Sequence, residues 1–342
     1  MSERTLDYWR AWLAEQLVYG CSASKIKQVL LSSSSLDEIT IDEEIGLAQK
    51  SPYIKGGKRV AEIYNKREWL LKTLDELEGW DEEYPKIDIV EEAPSYENFK
   101  INYLSKNKPL LIRGGANHWK AMNWTFESLK EKVGNVQVEI LDGRDKNPNF
   151  ELEKDKHATN ITMANFIDRI LKSEVSNDFY MTANNAKNVT KNLIELTEDY
   201  AQIGDGYIDM SRDAILSRSS FWIGPRGTKT PLHYDRMNNI FVQIHGKKQV
   251  QLVHPFQIPY MYNHNFVFSS IKYLDDYDTA RYPQANKVTP VQVEVGAGDV
   301  LFIPVSWYHY VKSIENSISH TFLNLTGIKN HYPGFPSPVS LY

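Results

Sequence analysis

The chain has 342 residues, long enough for one large domain and a smaller companion, since single hydrophobic cores seldom grow past roughly 250–300 residues. Its 42% hydrophobic and 24% charged residues are those of a folded protein, and its net charge of −5 lacks the basic balance of a nucleic-acid-binding domain. One cysteine, Cys21, excludes an intrachain disulfide and a cysteine-based zinc site.

The first ninety residues read as helices. Leu6, Trp9, Leu13 and Leu17 recur at helical spacing, Gly20 breaks the run, and Ser22 is placed to cap a second helix carrying Ile26, Val29 and Leu30. A serine run from Ser32 to Ser35 reads as a loop and Asp42 to Gln49 as a short third helix. Ala61, Tyr64, Leu71 and Leu74 mark a longer helix closed by Gly79. This N-terminal helical module, residues 1–90, is expected to serve docking or dimerisation. The charged start at Met1 to Asp7 lacks the apolar core of a signal peptide, and no apolar run approaches the ~18 residues of a membrane span. A cytoplasmic location without membrane contact is therefore expected.

Acidic loop sequence from Asp81 to Pro94 separates this module from a domain of different texture, residues 95–330. Lys108 to Gly114 reads as a strand ending in a turn, Trp124 to Val133 as a helix, Val136 to Leu141 as a strand and Met163 to Leu171 as a helix. From Phe179 onward short strands alternate with Gly, Pro and Asn. That rhythm predicts a mainly β domain with flanking helices, a closed barrel or a double-sheet jelly roll. The tail, residues 331–342, holds three prolines and is expected to be extended.

The chemistry is carried by Thr230-Pro231-Leu232-His233-Tyr234-Asp235. In a strand, residues two apart face the same way, so His233 and Asp235 can grip one ion. A third ligand is available in His309, which follows the turn and apolar strand Gly298 to Pro304. Two histidines and a carboxylate suit one face of an octahedral iron(II) and leave positions open, although three ligands alone do not exclude zinc. Next comes a strand, Asn239 to Ile244, a turn at His245-Gly246-Lys247, and a strand, Lys248 to Val253, read as a hairpin. Alternation places Lys248, Val250 and Leu252 on one apolar face. A lysine there calls for an anion, because burying an unpaired charge is costly.

These residues carry a family likeness. Phe221 to Thr326 resembles the Jumonji-C domain, in particular its hydroxylase branch, and is similar to the asparaginyl hydroxylase of the hypoxia-inducible factor and to bacterial cupin-like relatives. Lys108 to Trp124 resembles the family's N-terminal signature. The resemblance covers roughly residues 95–330 and implies a double-stranded β-helix, the cupin fold. It implies iron(II) held by His233, Asp235 and His309. It implies 2-oxoglutarate held by Thr230, Lys248 and Tyr180, with Asn239 and Asn324 near metal and cosubstrate. Tyr180 has a plainer reading as a core tyrosine, and the two asparagines as strand-end caps.

The resemblance further implies a dioxygenase that hydroxylates an amino-acid side chain in a protein or peptide, with succinate and carbon dioxide as coproducts. Demethylation of methyl-lysine and RNA hydroxylation are the alternatives within the family. A cupin using another metal and a non-enzymatic binding module are the alternatives outside it. The intact Asp235 favours hydroxylation over halogenation, and a homodimer through the N-terminal helices is compatible with the family. Residues 256–282 occupy the substrate-contacting position, but Phe268, Ser269 and Ser270 stand where the asparaginyl hydroxylase grips its target amide. Asp275, Asp276 and Asp278 form either a solvated loop or a lure for a basic substrate. His118, His157, His245, His254, His264, His320 and His331 read as structural or surface residues.

Overall fold

A computed structural model of the chain describes residues 5–182, 192–330 and 332–336. It divides into two compact units, residues 1–77 and 78–342. No helix among the described residues is long and apolar enough to cross a membrane.

The first unit is helical, as expected. Helix α1 (Leu6–Val18) is capped by Thr5 and buries Trp9, Leu13 and Leu17. Gly20, at φ 88°, makes the turn into α2 (Ala23–Ser33), whose N-cap is Ser22. Helix α3 (Glu38–Lys50) starts four residues before the predicted Asp42, because Asp37 supplies the N-cap. Trp9, Leu13, Leu17, Ile26, Leu30, Ile41 and Ile45 form a common core, which α4 (Pro52–Glu78) joins through Ile54. The helices stop at Glu78, and the next element, strand β1 (Asp88–Val90), lies in the second unit and pairs in parallel with β2 (Leu110–Ile112).

The second unit is a jelly roll. Its remaining elements are α5 (Tyr96–Phe99), α6 (Phe126–Val133), β3 (Gln137–Leu141), β4 (Ala158–Thr162), α7 (Met163–Lys172), α8 (Arg212–Arg218), β5 (Ser219–Gly224), β6 (Lys229–Tyr234), β7 (Asn239–His245), β8 (Lys248–Val253), β9 (Asn263–Asn265), β10 (Phe268–Ser269), β11 (Val291–Val295), β12 (Val300–Ile303), β13 (Tyr308–Ser313) and β14 (Ser317–Phe322). One six-stranded sheet runs β1-β2-β12-β7-β14-β5 and the other β11-β8-β13-β6-β10-β9. From β5 to β8, and again from β11 to β14, each successive strand crosses to the opposite sheet, except that β8 and β11 are neighbours.

That crossing corrects one expectation. Asn239–Ile244 and Lys248–Val253 are not a hairpin: β7 pairs with β12 and β14, while β8 pairs with β11 and β13. The turn at Gly246 (φ 70°) carries the chain between sheets. It nests against the equivalent turn between β13 and β14, where a Cβ on Gly246 would sit 2.1 Å from the Asn316 carbonyl oxygen. The sequence carries the reason. Strand β7 is buried nearly throughout, so it needs cover on both faces. A large core containing Trp119, Trp124, Phe166, Ile240 and Val242 lies on its outer side, and Phe241 joins Leu111, Val250, Leu252 and Val311 between the sheets.

Candidate metal and cosubstrate site

Three side chains converge inside the roll. His233 on β6 and His309 on β13 are direct cross-strand partners, and their rings lie 4.2 Å apart. Asp235 follows β6 and accepts a 2.9 Å hydrogen bond from Asn239 Nδ2 at one carboxylate oxygen, the same oxygen that lies 3.8 Å from His309 Nε2. One ligand atom from each of the three residues falls within 4.8 Å of the others. Ser306, at φ 69°, donates its backbone N–H to the Asp235 carbonyl at 3.1 Å and so ties the loop before β13 to the ligand after β6.

Both imidazoles are oriented alike. His233 Nδ1 lies 2.7 Å from the Pro231 carbonyl and His309 Nδ1 3.0 Å from the Trp307 carbonyl. A carbonyl only accepts, so Nδ1 carries the proton and Nε2 keeps its lone pair. Burial, and then the neighbouring His309, push the His233 pKa down, which favours the neutral ring that a metal ligand must be.

Thr230 lies three residues before His233, which in a regular strand puts the two on opposite faces. A bulge changes this. His233 pairs with His309 and Thr230 with Val311, so two residues of β6, Pro231 and Leu232, oppose Tyr310 alone on β13. Thr230 and His233 therefore line the same cavity, of about 570 Å³. Leu232, within the bulged stretch, packs outward with Tyr308 and Tyr310.

Lys248 enters the cavity from the start of β8 and is 1% exposed. Its ammonium donates to Ser319 Oγ at 2.7 Å and to Tyr180 Oη at 3.0 Å. No carboxylate pairs with it among the described residues. Burial alone lowers its pKa to about 7. Tyr180 packs 5.3 Å from the guanidinium of Arg144, itself buried and held by the carbonyls of Asn177 and Lys229. Its phenol pKa is raised, chiefly by burial.

The donor set fits the groups implied by the resemblance. Two neutral imidazole nitrogens and a carboxylate on one side of an open cavity make a facial triad. A buried ammonium whose partners are two hydroxyls is completed by an anion.

Of the predicted residues, His233, Asp235, His309, Thr230, Lys248, Tyr180 and Asn239 all border this cavity. Asn324 does not, and its predicted place near cosubstrate is corrected. Strand β14 turns Ser319 and Thr321 inward and His320 and Phe322 outward, and Asn324 continues the outward series. Its Nδ2 is spent on the Asp209 carbonyl at 2.6 Å, in a separate surface cleft. Sequence reading missed Ser319, Arg144 and Trp222. The first had a visible signal, since Ser317, Ser319 and Thr321 alternate with Ile318, His320 and Phe322. Arg144 sits in a short 3₁₀ turn with no pattern around it.

The mouth is built from loops. Phe268 stacks on His233 with centroids 5.6 Å apart. Arg236 lies over Phe266 and Phe335 at 4.9 and 5.3 Å. Glu151 and Asp155 edge the opening, and Glu151 is paired with Arg144 and Lys154. Asp278 caps a turn at Ala280 and Arg281.

Five of the other histidines have structural partners. His118 bonds the Gln202 carbonyl, His157 the Asp142 carbonyl, and His320 the Tyr200 hydroxyl. His254 accepts from the Phe256 amide, and His245 packs on Phe126. His264 belongs to β9. His331 and residues 337–342, most of the predicted tail, lie outside the described residues.

Residues 96–324 match the family described as the cupin-like domain. The chain is 29% identical over 252 residues to JmjC domain-containing protein D of Dictyostelium discoideum, covering 68% of this chain and 55% of that protein. It is 28% identical over 249 residues to lysine-specific demethylase 8 of Danio rerio, covering 70% and 58%. It is 26% identical over 245 residues to tRNA wybutosine-synthesizing protein 5 of Gallus gallus, covering 69% and 74%. The match thus spans little more than half the length of the first two relatives. None of these names points to the asparaginyl-hydroxylase branch, so the placement holds for the family and not for that branch. With the fold, the triad and a match over two thirds of its length, the chain belongs to the cupin-like Jumonji-C family, whose members use iron(II) and 2-oxoglutarate.

Proposed function

We propose that this protein is a 2-oxoglutarate-dependent dioxygenase that hydroxylates an amino-acid side chain of a protein or peptide. The observation that carries the reading is Lys248, a buried cation with hydroxyl partners in the same cavity as the triad. A cupin doing isomerisation or hydrolysis on another metal has no use for it. A two-carboxylate cosubstrate does.

His233, Asp235 and His309 hold the metal, and Asn239 orients the Asp235 carboxylate. Lys248, Tyr180 and Thr230 receive the distal carboxylate of 2-oxoglutarate. Iron(II) bound there would supply, with 2-oxoglutarate and dioxygen, oxidative decarboxylation of the cosubstrate to succinate and carbon dioxide, one oxygen atom entering succinate and the other a substrate C–H bond. The protein's own work is positioning and the exclusion of water by Trp222, Phe241, Ile303 and Val311 around the cavity. The half-exposed mouth, with aromatic rings and charges of both signs, suits a polypeptide segment. The net charge of −5 counts against an RNA substrate.

The relative named lysine-specific demethylase 8 favours a second reading, in which the hydroxylated carbon is an N-methyl group that then leaves as formaldehyde. The two readings share the site and differ in product mass. The test is succinate formation from 2-oxoglutarate with iron(II) and air, against a His233→Ala/Asp235→Ala control that is expected to fall to the blank. Peptides are then screened for a gain of one oxygen or the loss of a methyl group. Absence of both succinate formation and 2-oxoglutarate binding in the native protein would sink both readings.

A further inference from the structure

Helix α4 is out of proportion to its unit. It has 27 residues, about 40 Å of helix at 1.5 Å per residue, yet only Ile54 and Ala61 along it are buried. The core of α1–α3 takes Ile54 from it, and Gly57 lies against Val18. Beyond Ala61 none of its residues is fully buried, so this part of the helix is thinly covered.

Its exposed side is apolar and regularly spaced. Val60, Ile63, Leu70 and Leu77 are 68, 56, 50 and 46% exposed. With Arg67 and the half-buried Leu74 they form the series 60, 63, 67, 70, 74, 77, in alternating steps of three and four. That 3.5-residue period is the narrow seam of a helix paired with another helix, whereas a helix on a globular core shows a wider stripe.

The charges indicate which helix. Pro52 to Arg67 holds five basic residues (Lys55, Lys58, Arg59, Lys66, Arg67) against Glu62. Glu68 to Glu78 holds four acids (Glu68, Asp75, Glu76, Glu78) against Lys72. The same helix from a second copy, laid antiparallel, overlaps it over residues 59–78 and puts the net basic stretch Arg59–Arg67 over the net acidic stretch Leu70–Glu78. It also meets Val60 with Leu77, Ile63 with Leu74 and Arg67 with Leu70 of the second copy, because these pairs are symmetric about one point between Glu68 and Trp69. A parallel arrangement stacks basic on basic and acidic on acidic. We propose that α4 is a dimerisation seam whose occupant is the α4 of a second copy, antiparallel about a two-fold axis near Glu68–Trp69. The two Arg67 side chains, one from each copy beside the two-fold axis, are the kind of polar interruption of an apolar seam that fixes register at a cost in stability.

The test uses the full chain. Sedimentation equilibrium up to about 100 µM should give twice the 39.5 kDa chain mass. An Ile63→Glu/Leu70→Glu variant should give the single-chain mass with an unchanged melting profile, since both positions are exposed in the isolated unit. Orientation is read by cysteine pairing in a Cys21→Ser background. Val60→Cys mixed with Leu77→Cys should oxidise to a mixed dimer, and Val60→Cys alone should not. A native protein that stays monomeric, whether because the seam docks elsewhere on its own chain or because it meets a different partner, overturns the proposal. So does efficient self-crosslinking of Val60→Cys, which would mean a parallel pair.

Discussion

The two ends of the central cavity are built by opposite means. The inner end is all strand: Lys248 on β8, Ser319 on β14, Thr230 on the bulged β6 and His309 on β13 are buried, and their positions are set by sheet register. The mouth is loop and tail: Phe266, Arg236 and Phe335 touch each other in a half-exposed cluster, with Glu151 and Asp155 nearby. Under the proposed function, the cosubstrate is met where sheet hydrogen bonds fix the side chains that would hold it. Whatever distinguishes one substrate from another is met where loops can vary without disturbing the sheets.

If the inner end is a carboxylate seat, Lys248→Met separates its two costs. The variant should bind 2-oxoglutarate about 100-fold more weakly, the loss of a desolvated charge pair being worth roughly 2–5 kcal/mol. Without cosubstrate it should be more stable than the native protein at neutral pH, by about 1–4 kcal/mol, because an unpaired buried ammonium is replaced by an apolar chain. The sign follows from the pKa. Folding lowers Lys248 from 10.5 to about 7, so between those values the unfolded chain binds more protons and native stability rises with pH. The advantage of the variant is therefore full below about pH 7 and fades toward pH 10.5. Calorimetry of binding and melting curves across this range measure both, and a variant less stable than the native protein would mean that Lys248 is already neutralised.

A smaller effect is expected one step out from the metal. Asn239→Ala removes the donor to the Asp235 carboxylate while leaving all three ligands, so iron(II) affinity should drop about 10-fold to 100-fold. Metal titration followed by succinate formation at saturating iron separates this from a general loss: activity should recover as iron is raised. Failure to recover would put Asn239 in the reaction itself.

The same division explains what could be read in the sequence. His233 and Asp235 are two apart at a strand end, and their shared face follows from alternation alone. Lys248 stood out because Val250 and Leu252 share its face. Thr230 could not be derived this way, since the β6 bulge that turns it inward depends on the partner strand. The false hairpin at Gly246 has the same origin: a short turn between two strands does not say whether they pair or cross between sheets. Asn324 failed because resemblance carried it past the end of β14, where the outward series had already begun. Arg144 was invisible, as its role lies in the distant carbonyls and rings it holds together. In the first unit, where contacts are local, Ser22 and the spacing of Leu6, Trp9, Leu13 and Leu17 predicted α1 and the cap of α2 directly.

The smallest effect tests whether the cavity's two ends are independent. Phe266 is 37% exposed, on a loop with its backbone at φ 56°, and its contacts are Arg236 and Phe335. Phe266→Ala deletes a surface ring far from Lys248 in the hydrogen-bond network, so 2-oxoglutarate affinity should stay within about twofold, the range of surface substitutions remote from special features. The same variant should raise KM for any peptide that the native protein hydroxylates, since a ring at the mouth is lost, while kcat changes less. A change in cosubstrate affinity as large as that of Asn239→Ala in metal affinity would show that the mouth and the inner end move together. The strands would then share with the loops the task of positioning the cosubstrate, and substrate choice would reach the chemistry through the cavity wall formed by Phe268 stacked on His233.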